Sequence, residues 1–400
     1  MVNNLVFIME MHQPYRLKKE DLINISTRDL SELFDYELDS YVLNRVAERS
    51  YVPVLNIIRE RFEEIYERYG RKFSIGISMS GTLIEQLLAH KPEIIDLLKD
   101  LVSKDFIEII VEPYYHSLAS EISRREFEEQ IIKMREKIRE LFNKEPVGYI
   151  NTELIYRDEI GCWLKELGAE YTIIEGVERH LGGEVSNIYV NSCDLPILAR
   201  HYRLSDDIAF RFSMKTWDQY PLTAYKYAEW IRSSPGDFVV VYIDFETFGE
   251  HHPRETGILD FLSYLPIELA SRGVDMISPS NILSKLKPVR KIVIDEPISW
   301  ADERKDLSAW LGNDLQKTAF ELYKWTGSLV DTSDVFLKEY WRLLGEADHF
   351  HYMYYEPGSS FLVHDYFSYH DDPRKAFLSY MKALTIFVSV ARERVKRRKR

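Results

Sequence analysis

The chain has 400 residues, long enough for one large α/β domain with a smaller companion and too short for a multidomain array. Its 52 basic and 65 acidic residues give a net charge of −13, which argues against nucleic acid or an anionic membrane as partner and suits a neutral or cationic ligand. Cys162 and Cys193 are the only cysteines, so the sequence offers no disulfide framework and no zinc-finger spacing, as suits a reducing compartment.

The first apolar run, residues 5–11, is too short for a signal peptide and has no basic region before it. No stretch approaches the roughly 18 apolar residues of a membrane span. These features predict a cytoplasmic protein with no membrane partner; the oligomeric state is left open. Abundant Glu, Lys and Arg lean towards a thermophile. An aromatic content of 13%, with 26 Tyr and 7 Trp, suits stacking against the apolar faces of sugar rings.

In chain order, residues 5–11 read as a buried strand ending in Glu10, His12, Gln13, Pro14, Tyr15 and Arg16, where Pro14 stops pairing. Residues 41–69 follow a helical period with a break at Pro53 and a stop at Gly70. Residues 73–79 form the next strand, and 83–101 a helical stretch restarted at Pro92. A third strand, 106–111, closes in Glu112-Pro113-Tyr114-Tyr115-His116. Residues 124–142 read as a charged amphipathic helix. A short strand at 147–150 leads into Asn151-Thr152-Glu153, and 157–167 is helical. Strands follow at 171–174 and within 188–199, with the region around His180, Gly182 and Gly183 as loop. Helices at 204–212 and 222–231 flank a polar loop holding Trp217, which is either a sugar platform or a hydrophobic plug.

Residues 239–243 are continuously apolar, as in a strand buried on both faces, and stop at Asp244, followed by Glu246, His251 and His252. Polar clusters at carboxyl ends of parallel strands mark where α/β folds place chemistry. A helix at 258–272 and a strand at 274–277 bring the count to seven or eight strands separated by helices, which predicts a closed or nearly closed β/α barrel over 1–288. Beyond 288 the pattern is helical (306–325, 335–345, 376–396), a carboxyl-terminal domain over 289–400. Its cluster of Asp348, His349, Phe350, His351, Tyr352 and Met353 is expected to fold back over the barrel mouth and contribute to the cleft.

Glu153 and Asp244 each lie just past a strand, one in each half of the chain. Two such carboxyls can divide the work of glycoside hydrolysis, one protonating the leaving group and the other attacking. A competing pattern uses His12, His116, His251, His252 and Asp244 as metal ligands, as in a barrel-type deacetylase or mannosidase, but leaves Glu153 without a role. A barrel that binds glucan without turning it over is the third reading.

Five regions in order (His12-Gln13-Pro14, residues 112–116, residues 151–154, the Asp-Phe-Glu-Thr-Phe-Gly-Glu-His block at 244–251, and residues 348–353) resemble glycoside hydrolase family 57. Residues 299–313 resemble its compact α-amylase-like members. The resemblance implies an incomplete (β/α)7 TIM-like barrel with a C-terminal α-helical domain. It implies a retaining enzyme of α-1,4-glucans or maltooligosaccharides without metal or organic cofactor, with Glu153 as nucleophile and Asp244 as general acid/base. His12, Gln13, His116, Trp217, Glu246, His251, Trp300, Asp348, His349 and Tyr352 are then expected at the substrate. Hydrolysis of the α-amylase type and transfer of the 4-α-glucanotransferase type share the first chemical step and are both compatible.

Overall fold

The computed structural model describes residues 1–182, 184–301, 303–330, 334–355 and 368–398. Its centre is a ring of parallel strands. β1 (Asn4–Met11) lies between β7 (Phe238–Asp244) and β2 (Ile75–Met79), with Phe7 opposite Val241 and Met11 opposite Met79. β2 pairs with β3 (Ile107–Ile110). The ring then continues through single parallel bridges, Val111 to Tyr149 and Gly148 to Tyr171, into β4 (Thr172–Glu175), which pairs with β6 (Pro196–Arg200). β5 (Ile188–Val190) occupies the other edge of β6 in antiparallel register. It thereby keeps β6 from pairing along β7, and the seam is spanned instead by His201 N–H to the Val240 carbonyl (2.7 Å) and Arg200 Nε–H to the Tyr242 carbonyl (2.8 Å). This is the incomplete (β/α)7 barrel.

The two-residue period of the strands sorts their side chains. Leu5, Phe7, Met9 and Met11 face outward with Val239, Val241 and Ile243, packing in one apolar cluster with the surrounding helices. Val6 and Ile8 face inward, sharing a separate cluster with Ile110, Ile173, Leu198, Val240 and Tyr242. Glu10 and Asp244 stand opposite each other in register and continue the inward rows. Because the ring strands run parallel, their carboxyl ends open at one mouth.

The expected helices form, and Arg124–Phe142 has the bounds read from sequence because Ser123 caps its start and Asn143, at φ 50°, ends it. Pro53 lies at the start of Val52–Tyr69, where it needs no N–H bond, and a π-turn at Ala47–Tyr51 joins that helix to Tyr36–Val46. The short helix Glu178–Leu181, capped by Gly182, stands where loop was expected, while Gly183 lies outside the described residues. The strand expected at 147–150 makes only isolated bridges.

Arg290–Lys291 pairs with β5, and Ile292, Ile294 and Ile298 pack among β4, β5 and β6 side chains, a connection too short to show a period in sequence. The helices Asp314–Gly327, Val335–Leu343, Ala347–His351 and Pro373–Arg398 follow. They dock at the barrel mouth through Ala347 N–H to the His116 carbonyl (2.9 Å) and Tyr15 N–H to Glu346 Oε2 (2.9 Å).

Cys162 and Cys193 are joined as a disulfide between the Asp158–Glu166 helix and the turn before β6. The expectation that these two cysteines offer no disulfide is thus corrected, and with it the argument drawn from them for a reducing compartment. A separation of 31 residues gives no sequence signal for such a pairing.

Candidate active site

A cavity of about 1180 Å³ opens at the strand ends. Glu153 enters it from the turn Thr152–Leu154, where Glu153 and Leu154 adopt left-handed φ of 58° and 51°. Such conformations in non-glycine residues cost on the order of 1–3 kcal/mol each and persist only when surrounding bonds hold them. Here Asn151 Nδ2 donates to the Ile155 carbonyl and Ser120 Oγ, both at 3.0 Å, and Thr152 Oγ1 donates to the Ser117 carbonyl at 2.9 Å.

The Glu153 carboxyl has a donor on each oxygen. His116 Nε2 lies 3.1 Å from Oε1, and the Trp300 indole N–H donates to Oε2. Burial alone would raise the Glu153 pKa, but His116 and Trp300 overcome it and hold the group below its ordinary value, as a carboxylate. His116 is buried too. Burial favours its neutral form, yet Glu112, whose Oε1 is 3.2 Å from Nδ1, together with Glu153 and Glu10, raises its pKa well above the ordinary value. His116 is therefore an imidazolium whose two N–H groups serve Glu112 and Glu153.

Asp244, at the end of β7, has the opposite environment. Burial and then the Glu153 charge raise its pKa to about 7, against the opposing pull of Arg200 and His116. Glu246 rises to about 8 through burial, although Tyr51 O–H bonds its carboxylate. Glu10, pushed up by burial and Glu112, accepts no hydrogen bond from the described residues, and its Oε1 lies 3.6 Å from His116 Nδ1.

His12 stacks on His116 with ring centroids 3.9 Å apart. Its Nδ1 accepts from Ser80 O–H at 2.7 Å and its Nε2–H donates to Asp348 Oδ2 at 2.8 Å. Burial and the neighbouring His116 charge keep His12 neutral; Asp348, though buried, is held ionised by His12 and His116. Burial likewise lowers His251 to about 3.

Of the expected site residues, Glu153, Asp244, His12, Gln13, His116, Glu246, His251, Trp300, Asp348 and Tyr352 line this cavity. Trp217 and His349 do not. Trp217 packs edge-on against Trp230 at 6.1 Å, as the plug. His349 is buried with Nε2 bonded to the Leu343 carbonyl at 3.1 Å, fastening its own helix. The set His12, His116, His251, His252 and Asp244 is not gathered for a metal. His252 turns away to Ser213 Oγ (2.7 Å) and to the Ile208 and Ala209 carbonyls. Among the described residues, groups able to converge on one ion are His12, His116 and Asp348, or Glu10, Glu112 and His116.

Sequence reading missed Glu10, which the inward alternation of β1 would have revealed. It also missed Arg200 and Glu175, a buried ion pair at 3.0 Å on neighbouring strand ends.

The sequence matches the model of Glycosyl hydrolase family 57 over residues 6–295. The chain belongs to this family. A Methanocaldococcus jannaschii protein named "Putative alpha-amylase" is 40% identical over 398 residues, a match covering 96% of this chain and 84% of that one. An alpha-amylase of Pyrococcus abyssi is 32% identical over 135 residues, 34% of this chain and 19% of its own length. Among solved structures, the GH57-type branching enzyme of Pyrococcus horikoshii superposes with a TM-score of 0.64 at 17% identity, covering 88% of this chain and 86% of that one. The 4-alpha-glucanotransferase of Thermococcus litoralis gives 0.59 at 20% identity, covering 88% and 52%. Both share the family's barrel, and the protein is a glycoside hydrolase family enzyme.

Proposed function

We propose that the protein is a retaining enzyme of α-1,4-glucans, with Glu153 as nucleophile and Asp244 as general acid/base. The observation that carries this reading is the pair of cavity carboxyls held in opposite protonation states, Glu153 ionised and Asp244 protonated up to about pH 7. Asp244 gives its proton to the glycosidic oxygen as Glu153 attacks the anomeric carbon, so the C–O bond to the leaving sugar breaks as the bond to Glu153 forms. Asp244, now a carboxylate, takes a proton from the incoming water or sugar hydroxyl, whose oxygen displaces Glu153. Water gives hydrolysis of the α-amylase type. A sugar hydroxyl gives transfer, and the relatives' names include both alpha-amylase and 4-alpha-glucanotransferase.

His12, Gln13, Glu246, His251, Asp348 and Tyr352 are read as substrate contacts, with Asp348 and Tyr352 supplied by the helical region to the barrel's cleft. Trp217 and His349 leave this set. No helix of the described residues is long and apolar enough to cross a membrane. We place the reaction in the cytoplasm; intracellular disulfides of this kind occur in hyperthermophiles.

Product analysis on maltooligosaccharides and soluble starch tests the reading, with Glu153→Gln, Asp244→Asn and a chelator control. Shorter products alone mean hydrolysis, and longer ones as well mean transfer. No turnover of any α-glucan overturns the substrate class, and activity abolished by chelator overturns the carboxylate mechanism.

A further inference from the structure

We propose that Trp300 is a positioning residue for the nucleophile, and that the loop carrying it is a latch on the Glu153 turn. The inference rests on the reading of Glu153 as nucleophile. Two chain segments far apart in sequence are joined here along their backbones. Tyr156 N–H donates to the Ile298 carbonyl at 2.8 Å, Ile298 N–H to the Tyr156 carbonyl at 2.9 Å, and Trp300 N–H to the carbonyl of Glu153 itself at 3.3 Å. Trp300 therefore holds both ends of one residue, bonding the backbone at a left-handed position and the carboxylate through its indole.

The indole is fixed in turn. Its ring meets Tyr242 edge-on at 5.1 Å, and the Arg200 guanidinium lies 5.5 Å from its centroid. Arg200 is pinned by Glu175 at 3.0 Å, Asp206 at 2.7 Å and the Tyr242 carbonyl at 2.8 Å. Lys305 closes the loop, donating to the Trp300 carbonyl at 3.2 Å with its ammonium 3.8 Å from Glu175. Ser299 adds its N–H to the Lys305 carbonyl at 3.2 Å and its hydroxyl to the Asp306 carbonyl at 2.6 Å.

The choice of donor has a chemical consequence. An indole N–H donates only and does not titrate, whereas an imidazolium can lose its proton. His116 and Trp300 thus give Glu153 one titrating and one permanent donor, on different oxygens. A hydrogen bond to a charged group is worth roughly 10- to 100-fold in rate or equilibrium.

Trp300→Phe keeps an aromatic ring and removes the N–H. Measured on a maltooligosaccharide beside Glu153→Gln, it is expected to lower kcat about 10- to 100-fold with KM changed less than about threefold. The acid limb of the kcat/KM profile should move to higher pH, because Glu153 loses a bond to its ionised form. Lys305→Met keeps the indole but frees the loop, and should give a smaller loss in kcat with the acid limb shifted in the same direction. A raised KM with kcat and acid limb unchanged in Trp300→Phe would make Trp300 a substrate platform and overturn the proposal. If Trp300→Phe does not fold, an unshifted acid limb and unchanged kcat in Lys305→Met overturn it instead. Full activity in Glu153→Gln would mark failure of the nucleophile assignment itself.

Discussion

The turn carrying Glu153 and the end of β7 carrying Asp244 face one cavity, yet they treat a carboxyl in opposite ways. Around Glu153 the protein places an imidazolium and an indole N–H, so the buried group stays ionised. Around Asp244 burial dominates and the Glu153 charge adds to it, so the proton is retained to about pH 7. The lesson is that burial sets no role by itself; the count of N–H donors aimed at each carboxyl does. The coupling is one-sided in its use: ionised Glu153 helps to keep Asp244 protonated.

Removing either side of this contrast should have the largest effects. Glu153→Gln is expected to lower kcat by about 10⁴-fold or more, because it removes the proposed nucleophile. Chromatography of maltooligosaccharide products over long incubations checks this. Asp244→Asn should lose about 10²- to 10⁴-fold on natural glucans, and far less on an aryl glycoside whose leaving group needs no proton. A spectrophotometric assay with a nitrophenyl maltooligosaccharide separates the two cases.

The same contrast predicts a stability effect of defined sign. The folded pKa of Asp244, about 7, lies above its ordinary value of 3.8. Its contribution is therefore fully present below about pH 4 and is lost as pH rises towards 7. Asp244→Asn should accordingly raise Tm at pH 8 by about 2–5 °C and leave it nearly unchanged at pH 4, read by calorimetry. The smallest effect is expected outside the contrast. Trp217→Phe should leave kcat and KM within about twofold, since Trp217 packs on Trp230 away from the cavity; a large rise in KM would restore it to the substrate.

Much of this was legible in sequence where one residue's signal is local. The apolar run stopping at Asp244 located β7, and the charged amphipathic pattern of residues 124–142 located a helix. The pairing of Glu153 with Asp244 came from their positions after strands. Less legible were features made by distant partners. Trp217 and His349 were expected at the substrate, and what places them beside Trp230 and the Leu343 carbonyl is packing with distant partners. Glu10 carries the inward alternation of Val6 and Ile8 in sequence, but only its register opposite Asp244 shows that it shares the cavity. The Arg200–Glu175 pair went unread because neither residue has a local signal for burial. Trp300 lies 147 positions from the carboxylate it bonds, and nothing in a one-dimensional pattern joins them.

The most direct test of the contrast is the pH dependence of kcat/KM on one maltooligosaccharide, measured for wild type and for the residual activity of Asp244→Asn. Wild type should lose activity above a limb near pH 7 on the natural glucan, and Asp244→Asn should show no such limb. A limb that persists unchanged in Asp244→Asn would mean that another group holds the catalytic proton, and would contradict the opposite roles assigned to the two carboxyls.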